Sequence, residues 1–251
     1  MLRPPALRLG HARARKRSLR EILVALREPI RSGVPIVGIE PSCVAVFRDE
    51  LCNMFPHDED AKRLRSQTFT LSEFLLHHVD PKTLPKLRRK ALVQGHCHHK
   101  AIMKMKADEA VLRAMELDVE VLDAGCCGMA GSFGFEQTHY DISVQVGERA
   151  LLPRIRAAEA STLVLADGFS CREQIGQLTD RRAHHLAEIL LMAFREGGGG
   201  SGMQPDGGFA VAETTRFWRS VVSKRSVFAF GALALLALTS ASVRDTFKGD
   251  S

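Results

Sequence analysis

From Ser18 to Glu196 the chain alternates short apolar runs with amphipathic stretches, and this alternation restricts the fold more than any other feature. "VPIVGI" (34–39), "KALVQG" (90–95), "VEVLDAG" (119–125) and "STLVLADG" (161–168) each have strand length and strand-like composition. Helical patterns lie around and between them: "REILVALREPIRSG" closed by Gly33, "AVFRDELCNMF", "LSEFLLHHV" with Ser72 as its cap, and a stretch from about Lys100 to Met115. "ISVQVGERALLPRIRAA" follows, in which Pro153 should split the pattern, then a short helix from about Arg172 and a last one over "RRAHHLAEILLMAF". Such alternation predicts an α/β protein with a small parallel sheet of four strands.

The cysteines follow the same rhythm. Cys43, Cys97, the Cys126–Cys127 pair and Cys171 each fall a few residues beyond the carboxyl end of a predicted strand. Ligands of open parallel sheets gather at that edge. Cys52 instead falls inside a helix beside Leu51 and Phe55, the place of a buried hydrophobe. The pair sits in "DAGCCGMAGSFGFE" (123–136), with glycines at 125, 128, 131 and 134. Glycine lets backbone approach a bulky centre and aim N–H groups at anionic sulfur, which makes Gly125, Gly128 and Gly131 candidate cofactor-binding positions. Thiolates gathered from distant loops suit a soft metal or an iron–sulfur cluster. A single zinc site, the other reading, usually draws on C-x2–4-C knuckles, and no such pair occurs.

Composition narrows the partners. The net charge is +6, but the first 20 residues hold seven Arg or Lys and no acid, so the other 231 sum to −1. With one Trp and one Tyr there is little surface for stacking on bases, and nucleic acid is not an expected partner. The basic start has no apolar h-region of a signal peptide, which predicts a reducing compartment: the cytoplasm or the cytoplasmic face of the inner membrane. "GGGGSG" opens a linker over 197–208, and the tail over 209–251 contains the uncharged run 227–243, an expected membrane-anchoring helix.

Three segments resemble a known family. "GHCHHKA" (95–101), "GCCGMAGSFG" (125–134) and "DGFSCREQI" (167–175) are similar to the cysteine-rich CCG domain found in heterodisulfide reductase and in the iron–sulfur subunits of glycolate oxidase and anaerobic glycerol-3-phosphate dehydrogenase. The "EPSC" and "GFSCREQ" segments look like the C-terminal part of fused FAD-linked D-2-hydroxyacid dehydrogenases. The resemblance implies Cys97, Cys126, Cys127 and Cys171 as metal ligands, with Gly168 standing where the family's CxxC has its first cysteine. It implies that Cys43, in "VGIEPSC", is the last cysteine of a truncated first module, with Glu40 in its partner's place, and a fifth candidate metal ligand contributing to a shared site. Residues 18–89 would then be a remnant of that module and 90–196 the CCG domain, while 1–17 form an atypical basic start that fits an out-of-frame reading of family-like coding. The implied function is an electron-transfer module with a 4Fe-4S-type centre. It would serve a flavoprotein that carries FAD and oxidises a 2-hydroxyacid, and pass electrons toward an acceptor such as a quinone. The chain would not be active alone.

Overall fold

The computed structural model describes residues 5–197, with side chains over 12–196. The expected linker (197–208), tail and anchoring run (227–243) therefore lie outside the described residues, apart from the backbone of Gly197. Among the described residues no helix is long and apolar enough to cross a membrane.

Helix α1 (Pro5–Ala25) and the short α2 (Arg27–Arg31) lead to Gly33, whose φ of 71° takes the left-handed conformation that ends helical runs. Strand β1 (Ile36–Gly38) feeds α3 (Pro41–Ala45), which continues through a π-helical turn at Val46–Glu50 into α4 (Leu51–Met54). Helix α5 (Glu59–Gln67) returns the chain to β2 (Thr68–Thr70), which pairs parallel with β1. Leu19, Leu23, Ile30, Ile36, Leu51 and Leu64 form the core of this half.

Helix α6 (Leu71–His78) begins with a capping box between Thr70 and Glu73. The expected cap, Ser72, is instead inside the first turn. Thr70 has the extended backbone that capping needs (ψ 166°), and Ser72 turns its hydroxyl to Asp108.

The second sheet contains β3 (Lys90–Val93), β4 (Asp118–Val121), β5 (Leu163–Leu165) and β6 (Ala183–His184), all parallel, in the order β4-β3-β5-β6. Helix α7 (Lys106–Ala114) joins β3 to β4; α8 (Tyr140–Glu148) and α9 (Leu151–Arg156) join β4 to β5; α10 (Phe169–Leu178) joins β5 to β6, and α11 (Leu186–Gly197) follows. The central strands are buried on both faces. Ala91, Val93, Leu163 and Leu165 pack with α6, α7 and α11, while Leu92 and Val164 pack with α9 and α10. The chain leaves β3 toward one side and β5 toward the other, so the crevice at their carboxyl ends is the topological switch point of the sheet.

The α/β class and the parallel sheet agree with the sequence pattern; several details differ. There are six described strands rather than four: β2 ("TFT") and β6 ("AH") carry no apolar run like that of β5 ("LVL"). The helix expected from Lys100 to Met115 is broken: a π turn at His99–Met103 ends at Lys104 with φ 67° before α7 begins. Residues 142–158 do split, but at Arg149–Ala150, with Pro153 in the first turn of α9 where its missing N–H costs nothing. Helix α10 starts at Phe169, three residues ahead of the expected position, and takes Cys171 into its first turn.

Candidate functional site

Gln94, the residue after β3, organises the switch point. Its backbone N–H donates to Leu165 O at 2.8 Å and its Nε2 to Gly125 O at 3.1 Å, tying the loops after β3, β4 and β5 together. Two residues on from Gly95 stands Cys97, exposed, at the start of the helical turn that becomes the π turn. The loop after β4 carries Cys126 and Cys127. At Gly128 the chain takes φ 100°, and a Cβ there would lie 2.1 Å from Ser143 O of α8. Only glycine fits. The same turn lets Gly128 N–H donate to Cys126 Sγ at 3.3 Å, and Met129 N–H to the Cys127 sulfur. Gly125 and Gly131 also have positive φ, 66° and 67°, but face open space.

The sulfurs form one connected run. Cys97 contacts Cys126, Cys126 contacts Cys127, and Cys127 contacts Cys171, passing from the surface inward to a residue 1% exposed. Each link perturbs its members. Hydrogen bonding with the Cys127 thiol, and after it burial, raises the Cys126 thiol far above its ordinary value. The Cys126 contact lowers the Cys127 thiol, but Cys171 and burial outweigh it and hold Cys127 up at about 11. Burial and then Cys126 raise Cys97. Among the described residues no three of these sulfurs all lie within 4.8 Å of one another. The run is elongated rather than a closed cage.

Cys43 stands apart. It is exposed, and its thiol is raised by burial and by Glu40 rather than by another cysteine. Its position nevertheless repeats that of Cys171: both are third in a helix that follows a parallel strand, each preceded by a serine. Glu40, the N-cap of α3, reaches the first residue of α10, where its Oε2 accepts from Phe169 N–H at 2.8 Å. Gly168 is extended (φ −73°), and a Cβ there would stand 2.7 Å from His96 Cδ2.

Of the histidines flanking Cys97, burial lowers His96, while His99 is 2% exposed and opposes Asp108. His185 bridges to the first half, with Nε2 donating to Ile39 O at 2.8 Å. Phe133 stacks on His139 at 4.2 Å, and Tyr140 is exposed. Sequence reading missed Asp108 and Asp167, both drawn to this region. Asp108 had left one signal: it shares a helical face with Val111, Leu112 and Met115.

A thiol-lined switch point in a parallel α/β sheet is the class of site that fold and geometry define. No family model matches the chain. Among characterised proteins it is similar to one of the subunits of the anaerobic glycerol-3-phosphate dehydrogenase of Escherichia coli K12, 30% identical over 188 residues, covering 72% of this chain and 46% of that protein. It is also similar to D-2-hydroxyglutarate dehydrogenase of Pseudomonas putida (27% over 161 residues; 63% of this chain, 15% of that protein). A third relative is lactate utilization protein A of Geobacillus thermodenitrificans (26% over 206 residues; 74% and 80%). The chain thus spans about half of the first relative and a small part of the second. It is related to subunits and segments of dehydrogenases.

Proposed function

We propose that the chain is an electron-transfer module of a flavin-linked 2-hydroxyacid dehydrogenase system, in which Cys97, Cys126, Cys127 and Cys171 hold a 4Fe-4S-type iron–sulfur centre. The observation that carries this reading is the connected run of four thiols at the switch point, with the Gly128 N–H already turned onto Cys126 Sγ. Cys43 is a peripheral member of the proposed set, because its contacts are with Glu40 and Ser42.

Such a centre, when bound, supplies one-electron transfer. The residues of this chain hold it by sulfur, aim amide N–H groups at its charge, and bury its inner side behind Met129, Ile175 and Leu151. Hydride chemistry on lactate, glycolate or D-2-hydroxyglutarate would belong to FAD in a partner flavoprotein, and a quinone or similar acceptor would receive the electrons. Attachment to the cytoplasmic face of the inner membrane through residues 227–243 is part of the proposal; truncation after Glu196 should leave metal content unchanged and release the protein from membranes.

The deciding measurement is iron, zinc and acid-labile sulfide on the full chain purified without oxygen. Iron and sulfide in near-equal amounts are expected. Zinc without sulfide would replace this reading with a non-redox interaction domain.

A further inference from the structure

Behind the thiol run lies a second, sulfur-free group of donors. His99 leads the π turn, Asp108 sits on the buried face of α7, and Asp167 ends the stretch after β5. One ligand atom from each lies within 4.8 Å of the other two. Asp108 spends Oδ1 on the Ser72 hydroxyl at 2.9 Å, and Asp167 spends Oδ1 on Leu186 N–H at 2.8 Å. His99 Nε2 and Asp108 Oδ2 form a buried ion pair at 2.9 Å that is out of line for a good hydrogen bond, and the two residues are only 2% and 4% exposed. Aimed, buried polar atoms without an aligned partner call for a further occupant.

Charge makes the same demand. Two carboxylates converge here, and the groups facing them from the surrounding elements are His99, the Ser72 hydroxyl, and His185, whose Nε2 is 3.6 Å from Asp167 Oδ1 but donates to Ile39 O. Burial, and after it Asp108, raise the Asp167 carboxyl against the opposing effects of His185, the Leu186 N–H and His99. The 4.8 Å limit within which all three ligand atoms fall is within the reach of one cation with bonds of about 2.1 Å.

We propose that His99, Asp108 and Asp167 form a mononuclear site for a divalent first-row cation such as Mn²⁺, Fe²⁺ or Zn²⁺, distinct from the thiol run. One imidazole and two carboxylates suit harder ions than thiolates do. The ion would pin the π turn, α7 and the loop after β5 to one point. Since Cys97 lies two residues before His99 and Cys171 four after Asp167, it would also fix the spacing between the two ends of the sulfur run.

Mn²⁺ tests this directly, because it prefers oxygen and nitrogen to sulfur and its free form is read from its six-line electron paramagnetic resonance signal. The full chain should remove one equivalent of Mn²⁺ from that signal, and Cys127→Ser, which attacks the iron–sulfur reading, should remove it equally well. Asp108→Asn and Asp167→Asn should lose Mn²⁺ uptake while keeping iron and sulfide. Ser72→Ala keeps all three donors but frees Asp108, and should weaken uptake about 10- to 100-fold; it decides the matter if the aspartate variants do not fold. A native chain that takes up no Mn²⁺ has a proton-sharing cluster instead, and the proposal is overturned. Uptake in Asp167→Asn and Ser72→Ala equal to the native chain overturns it as well.

Discussion

Cys127 is 3% exposed, and its thiol is held near 11 against an ordinary 9.0. A thiol raised in this way favours the folded chain while protonated. That contribution is complete below pH 9.0 and is lost as pH climbs toward about 11. Chelator-treated protein should therefore show a falling denaturation midpoint across this window, and Cys127→Ser should flatten the fall; an unchanged slope in that variant would place the titration elsewhere. Because metals take thiolates, loading should strengthen with rising pH over the same range. Cys126→Ser and Cys127→Ser should each lose most bound iron and sulfide. Cys52→Ser should keep both, since the Cys52 sulfur donates to Ala61 O at 3.7 Å and takes no part in the interactions among the other thiols. The two neighbouring glycines separate backbone strain from crowding. Gly125→Ala meets open space and should cost only the left-handed backbone, about 1 kcal/mol. Gly128→Ala must also displace the Ser143 carbonyl 2.1 Å away, so it should destabilise several-fold more and release iron. Equal melting temperatures for the two variants would contradict this packing.

Helix α10 shows what an early start does. Beginning at Phe169, it sets Cys171 in its first turn and makes Gly168 an extended N-cap, so a side chain at 168 is opposed by the His96 ring and not by its own backbone. Gly168→Cys should lose about 1–3 kcal/mol to overpacking, visible as a lower denaturant midpoint at unchanged slope. His96→Ala should relieve most of that loss in the double variant, which would also retain its iron longer in air. A single variant as stable as the native chain would mean that the two loops do not touch. The start of α10 was hidden in the sequence because "DGFS" reads as a loop. By contrast β3 and β5 were legible, since strands buried on both faces leave unbroken apolar runs, and with them the positions of Cys97 and Cys171 just beyond their carboxyl ends. Strands β2 and β6 exist by pairing, not by pattern, and were missed. The Asp108–Asp167 convergence was equally out of view: hydrophobic periodicity records which positions are apolar, and a buried carboxylate looks like an interruption.

At the scale of the whole molecule, two sheets with separate cores are held together partly by polar ties. Glu40 accepts from Phe169 N–H, and His185 donates to Ile39 O. Glu40→Ala should speed hydrogen exchange at the Phe169 amide and leave β3 and β5 protected, because the larger sheet keeps its own core; exchange rising across both strands would show one cooperative unit instead. These ties also set an order of events during synthesis. Glu40 and Phe169 are 129 residues apart, and Ile39 and His185 are 146 apart. At ribosomal rates of 5–20 residues per second, Glu40 waits roughly 6 to 26 s for its partner to be made. Throughout that interval Cys43, Cys97 and the Cys126–Cys127 pair emerge one after another without Cys171, so the nascent chain carries thiols whose innermost neighbour has not yet been made.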